Sequence, residues 1–255
     1  MRIVIKIGTS TLAHSTGLLN ILRVEELCKV MSDLKNAGNQ VILVSSGAIG
    51  MGSGKLGLLK KPTDIPTKQA AAAVGQCELM YTYDRLFSEY NHTVAQILLT
   101  GDDIEHADRK ANFTNTMNRL LELSAIPIIN ENDTISTNEI EIGDNDTLGA
   151  IVATACEADL LIILSDIDGL YTADPRENPS AQLLHTVEEI TPEIEQMVGG
   201  AGSKLGTGGM KTKLKAAKIV TECGIDMVIA NGNNPMSLYS IVEGKDVGTR
   251  FKGVK

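Results

Sequence analysis

The chain has 255 residues, a mass of 27.2 kDa and a formal charge of −9, from 23 Lys+Arg against 32 Asp+Glu. An acidic chain lacks the clustered cations that grip nucleic-acid phosphates or anionic lipid, so neither partner is expected. No apolar run approaches the roughly 18–20 residues of a membrane span, and the start, Met1-Arg2-Ile3-Val4-Ile5-Lys6, is charged too soon for a secretory signal.

The elements alternate along the chain. Residues 2–7 are a short apolar run with Lys6 inside it. Residues 21–35 carry helical spacing, with Leu22, Leu27, Val30, Met31 and Leu34 on one stripe. Gly38 follows where a helix C-terminal glycine belongs. Residues 40–45 read as a buried strand, 67–90 as a long alanine-rich helix and 94–99 as another buried strand. A helix is expected over 112–123, a strand over 125–129, and an alternating hairpin-like stretch over 134–142. Then come helix 148–156, strand 159–164, the glycine-rich loop 199–209, helix 210–223 and strand 226–230. Short apolar strands separated by helices predict an α/β domain with a mainly parallel sheet covered on both faces. The length of residues 1–255 fits one large α/β domain or two small ones of roughly 100–150 residues each, and neither a repeat nor a low-complexity linker appears in it. The four cysteines, Cys28, Cys77, Cys156 and Cys223, form no Cys-x-x-Cys pair. They read as buried, reduced thiols of a cytoplasmic protein.

Ligands in open parallel sheets bind beyond the carboxyl ends of strands. The strand ends here are Lys6-Ile7-Gly8-Thr9-Ser10, Ser45-Ser46-Gly47-Ala48-Ile49-Gly50, Asn130-Glu131-Asn132-Asp133 and Ser165-Asp166-Ile167-Asp168-Gly169. All are small, polar or glycine-rich. Surface turns would use such residues too, but four strand ends of this kind point to a shared site. Lys6 lies among isoleucines, where a lysine either guards a sheet edge or is aimed at a phosphate.

Two glycine patterns mislead. Gly52-Ser53-Gly54-Lys55-Leu56-Gly57 satisfies G-x-G-x-x-G, but its first glycine stands six residues past the strand end. A Walker loop fails because residue 56 is Leu. The segment Gly206-Thr207-Gly208-Gly209-Met210-Lys211-Thr212-Lys213 is more informative, because a glycine loop entering a helix suits a phosphate. On that helix Lys211, Lys215 and Lys218 share a surface stripe, while Lys213 points roughly the opposite way, near Met210, Leu214, Ala217 and Thr221. A first-turn lysine opposes the helix dipole unless an anion is present. The acidic loop Gly143-Asp144-Asn145-Asp146 precedes a helix and exceeds what capping requires. It could hold an ammonium, a lysine or Mg²⁺. The four histidines share no spacing.

These motifs, with Gly169-Leu170-Tyr171-Thr172-Ala173-Asp174-Pro175-Arg176, resemble the amino-acid kinase family over essentially the whole chain. Within it, the Asn-Glu-Asn-Asp, Gly-Asp-Asn-Asp and Thr-Gly-Gly-Met-x-Thr-Lys combination resembles the glutamate 5-kinases. The resemblance implies ATP-dependent phosphorylation of the γ-carboxylate of L-glutamate, as the first step towards proline. It implies a single domain over residues 1–255, built as a three-layer sandwich, with a glutamate and phosphoryl site in about residues 1–158 and a nucleotide site in about residues 159–255. It implies glutamate contacts at Ser46, Asp133 and Asn145, and catalytic roles for Lys6, Lys213 and Asp146. ATP contacts are implied at Lys6, Gly8, Gly47, Ser165, Asp166, Thr207, Gly208, Gly209, Met210, Lys211, Thr212 and Lys213. Mg²⁺ would come with ATP, with no protein metal ligand assigned. Proline inhibition, coupling to a glutamyl phosphate reductase and homo-oligomerisation are also implied. Because the sequence stops at Lys255, the C-terminal PUA module of many relatives is expected to be absent. Rival readings are another kinase of the family acting on acetylglutamate, aspartate, carbamate or UMP, a nicotinamide-linked oxidoreductase, and a non-catalytic amino-acid sensor.

Overall fold

The structure, a computed structural model, describes residues 1–14, 16, 18–60, 62–135, 145–198 and 209–254. Its first strand, Arg2–Ile7 (β1), is buried at all but its first residue. After Thr9–Leu12 (α1) and Ile21–Asn36 (α2), the chain returns through Gln40–Val44 (β2), which pairs with β1 in parallel. Ala48–Lys55 (α3) and Ile65–Ser88 (α4) lead to Val94–Leu99 (β3). Gly101–Glu105 (α5) and Ala107–Glu122 (α6) lead to Ile126–Glu131 (β4), and Asn145–Ala155 (α7) to Leu160–Ser165 (β5). Thr186–Val187 (β6), Pro192–Val198 (α8), Met210–Thr221 (α9), Asp226–Asn231 (β7), Ser237–Val242 (α10) and Thr249–Phe251 (β8) complete the described elements.

Among the described residues eight strands form one sheet, in the order β3-β4-β2-β1-β5-β7-β8-β6. Its pairings are parallel except β7 with β8. Strand alternation sorts the core into two layers. Ile3, Ile5 and Ile7 pack with Leu27 and Met31 of α2, Leu79 and Tyr83 of α4, and Ile241 of α10. Val4, Ile42 and Val44 pack on the other face with Met117 of α6, Leu148 and Val152 of α7, and Leu214 of α9. The expected three-layer α/β sandwich is therefore the observed one.

Several expectations need correction. Helix α4 starts two residues early, because the Asp64 side chain accepts the Thr67 N–H at 2.9 Å and Pro66 sits in the first turn, where no N–H is required. Cys28 and Cys156 are buried, but Cys77 and Cys223 are exposed, and all four are free thiols. The hairpin expected over 134–142 falls largely outside the described residues.

Helix α3 was not anticipated, because its sequence, AIGMGSGK, contains three residues that weaken helices. Packing against α4 overrides that propensity. A Cβ on Gly52 would lie 1.7 Å from the Ala71 carbonyl oxygen, and one on Gly75 would lie 1.7 Å from that of Ala48. The two helices thus touch backbone to backbone, and the G-x-G-x-x-G pattern is a packing device. Gly75→Ala should separate them, at a cost of about 1–3 kcal/mol, read as a lower midpoint in urea unfolding. Lys55→Ala, which removes only a solvent-exposed ion pair with Glu78 of α4, should leave that midpoint nearly unchanged.

Candidate active site

β1 is flanked by β2 on one side and β5 on the other, and the chain reaches β5 only after visiting β2, β3 and β4. The strand order therefore reverses at β1, and the carboxyl end of such a strand is where open α/β sheets bind ligands. Lys6 lies there, opposite Val44 and Ile163 in a central strand, so it does not guard a sheet edge. Its side chain lies on the Val4 face, beneath α7. Gly149 of α7 makes room for it, since a Cβ there would sit 3.3 Å from the Lys6 Cβ.

The Lys6 ammonium meets Asp146 Oδ1 at 2.5 Å, and Lys213 Nζ meets Asp146 Oδ2 at 3.0 Å. Asp146 is fully buried, and the lysines are 6% and 4% exposed. The Thr212 hydroxyl lies 3.1 Å from Asp146 Oδ2 and 2.7 Å from the Gly209 carbonyl oxygen. Burial pushes the Asp146 carboxyl up, but Lys6 and Lys213 outweigh it and hold the group below its usual range. The start of α7 also favours a carboxylate there, and Asp146 is the anion that Lys213 needs in the first turn of α9.

Asn145, one residue earlier, anchors a second cluster. Its amide nitrogen lies 2.7 Å from the Ser45 carbonyl oxygen, 2.6 Å from Ser46 Oγ and 3.2 Å from Asn130 Oδ1. Asn130 donates to Gln76 Oε1 of α4 at 2.8 Å and accepts the Glu131 N–H at 2.9 Å. Ser45 Oγ is 2.9 Å from the hydroxyl of fully buried Tyr83. Burial, then the charge of Asp133, raises half-buried Glu131 to about 7.

The loops after β1 and β2 abut this ground. A Cβ on Gly8 would lie 3.8 Å from Lys6 Nζ, so the loop after β1 runs directly beside the ammonium. Gly47 begins α3 at φ +92°, a conformation that strains L side chains, and its Cβ position lies 3.6 Å from Thr9. Ser165 ends β5, and its hydroxyl donates to exposed Asp166 at 3.1 Å.

A family model described as "Amino acid kinase family" matches residues 1–231. The chain belongs to the amino acid kinase family. It is 57% identical to a glutamate 5-kinase of Clostridium perfringens, across 100% of this chain and 96% of that one. It is 50% identical to a glutamate 5-kinase of Listeria monocytogenes, across 100% and 94% respectively. The fold matches a UMP kinase from Bacillus anthracis with a TM-score of 0.66 at 16% identity, covering 100% of this chain and 96% of that one. An isopentenyl phosphate kinase from T. acidophilum matches with a TM-score of 0.63 at 18% identity, covering 99% and 100%.

In this family member, Lys6, Asp146 and Lys213 form one contact group, and Ser46 and Asn145 another. Residues 145 and 146 join the two. Asp133 follows β4, near enough to Glu131 to raise its pKa. Gly209 caps α9, Met210 opens it and Lys211 projects to the surface. Thr207 and Gly208 lie outside the described residues, as does Asp144. Ser165 and Asp166 adjoin the first group along the sheet, since Leu164 O lies 3.9 Å from the Gly8 Cβ position. Sequence reasoning overlooked Gln76, Tyr83 and Gly149. Gln76 was findable as a polar residue on the apolar stripe shared with Leu79 and Tyr83.

Asp146→Asn would leave two buried ammonium groups without their shared carboxylate. A loss of about 3–5 kcal/mol is expected at pH 7 by urea unfolding. Glu131 contributes in the opposite pH sense. Its folded carboxyl keeps a proton up to about pH 7, against 4.5 ordinarily, so folding takes up a proton between those values. The stability it contributes is complete below about 4.5 and lost as pH rises through about 7. Glu131→Gln should therefore flatten the fall in unfolding free energy across that window.

Proposed function

We propose that the chain transfers the γ-phosphoryl group of ATP to the γ-carboxylate of L-glutamate, giving L-glutamyl 5-phosphate for proline synthesis. The observation that carries the chemistry is the pair of buried lysines on one carboxylate at the carboxyl end of β1. The full-length identity to glutamate 5-kinases supports the choice of acceptor.

The glutamate carboxylate is already ionised at neutral pH, so the attack needs no general base. A carboxylate oxygen attacks the γ-phosphorus in line, and ADP leaves. Catalysis then comes from positioning and charge stabilisation. Lys6 faces the transferring group, and Lys213 the β-phosphate side of the leaving ADP. Asp146 holds both ammonium groups in place, and backbone N–H groups at Gly8 and Gly47 receive phosphoryl oxygens. Ser46, Asn145 and Asp133 hold glutamate. Asn145 spends its NH₂ group on the protein, so its oxygen suits the α-ammonium better than a carboxylate. Ser165, Asp166 and residues 207–213 receive ATP, and Mg²⁺ would come with it and supply charge neutralisation on the phosphates.

Within this reading the chain is one kinase domain, with glutamate over about residues 1–158 and nucleotide over about 159–255. Cytoplasmic location, homo-oligomerisation, inhibition by proline and coupling to a glutamyl phosphate reductase belong to the same proposal. No helix among the described residues is long and apolar enough to cross a membrane.

A coupled ADP assay with hydroxylamine trapping of the acyl phosphate tests the activity. L-glutamate should support ADP release, and acetylglutamate, aspartate, carbamate and UMP should not. Lys6→Ala and Lys213→Ala should each lower kcat by about 10²–10³. Wild-type kcat in a folded variant would refute that lysine's role.

A further inference from the structure

We propose that Gln76 is a positioning residue for the amino-acid subsite. Its amide oxygen sets the polarity of a chain of amides that ends by presenting an oxygen of Asn145 to the substrate ammonium. The inference rests on the glutamate kinase reading and extends it to a residue in the middle of α4.

Two backbone groups make the polarity unambiguous. The Glu131 N–H can only donate, and it points at Asn130 Oδ1 from 2.9 Å. The Ser45 carbonyl can only accept, and it lies 2.7 Å from Asn145 Nδ2. Asn130 therefore turns its oxygen towards Asn145 and its NH₂ group towards α4. Asn130 is 2% exposed, so solvent is a poor acceptor for that NH₂ group. Gln76 Oε1 takes the bond at 2.8 Å, from a side chain that is itself 8% exposed. Asn145 offers its nitrogen to three protein oxygens, and among the described residues nothing hydrogen-bonds to its Oδ1.

Without an acceptor at position 76, Asn130 has two poor choices. It can bury an unsatisfied NH₂ group, or turn over and set that group against the Glu131 N–H and the Asn145 NH₂. Either choice loosens Asn145. Gln76 is held in place by its neighbour, because Gly75 lets α4 touch the Ala48 carbonyl of α3.

The test is steady-state kinetics with glutamate and ATP varied separately, alongside melting temperatures. Gln76→Leu should raise the KM for glutamate about tenfold, the size expected when a buried donor loses its partner. The KM for ATP should stay within about twofold, since the lysines are held by the Asp146 carboxylate rather than by any amide of this chain. Gln76→Glu keeps an acceptor for Asn130 and should recover most of the lost glutamate affinity. Gln76→Met, similar in length but without an acceptor, takes the place of the leucine variant if that one does not fold, with the same expectations. An unchanged glutamate KM, a parallel rise in both KM values, or a Gln76→Glu variant as defective as Gln76→Leu would overturn the inference. If the parent protein shows no glutamate-dependent ADP release, the kinase reading falls and takes this inference with it. If the parent is active and Gln76→Leu behaves like it, the inference falls alone.

Discussion

Asp146 between two buried lysines is the contact on which the rest of the site depends. A lone ammonium inside a sheet is costly, and two facing each other cost more. One carboxylate, fully buried at the start of α7, makes both tolerable. It draws together three segments distant in sequence: β1 through Lys6, α7 through Asp146 and α9 through Lys213. Gly149 belongs to the same solution, because any side chain there would press on the Lys6 stem. The charge of −9 is thus compatible with anionic ligands. Two cations are concentrated at the switch point of the sheet, paired with Asp146, although Glu131, Asp133 and Asp166 stand at neighbouring strand ends.

The second cluster is tied to the first by adjacency in the chain. Asn145 and Asp146 are neighbours, so the helix start that anchors the lysines also positions the Ser46–Asn130–Asn145 group. On the far side of the sheet, α4 supports that group twice, through Gln76 on Asn130 and through Tyr83 on Ser45. The close contact between Gly52 and Gly75 sets how near α4 can lie to α3, whose start is Gly47. Helix packing, the loop proposed to face phosphate and the proposed amino-acid subsite are therefore mechanically connected.

Much of the fold was legible because its main strands are short, predominantly apolar runs separated by periodic helices. Residues 94–99 and 2–7 match their strands at both ends. What escaped was short or locally unfavourable: α3 with its three glycines, the brief α5, α8 and α10, and strands β6 and β8. Their hydrogen bonds are retained by tertiary contacts that no local window contains. Lys213 was legible because helical geometry turned it away from Lys211 and Lys215, and it is buried where they are exposed. Gln76 was not singled out: its place on the stripe with Leu79 and Tyr83 marks a polar residue facing the core, but its role emerges only with its partner Asn130 on β4.

By itself, the sequence determined the α/β alternation, the polar strand ends, the membership suggested by the Asn-Glu-Asn-Asp and Gly-Asp-Asn-Asp motifs, and the unusual position of Lys213. Those properties follow from local periodicity and from side-chain chemistry that survives in any packing. The tertiary structure decided that Lys6 stands in a central strand and that one carboxylate serves both lysines. It also decided that the G-x-G-x-x-G pattern is a helix contact rather than a nucleotide loop. Each of these depends on which segments become neighbours in space, and strand order and helix crossing are not written in any single stretch of chain.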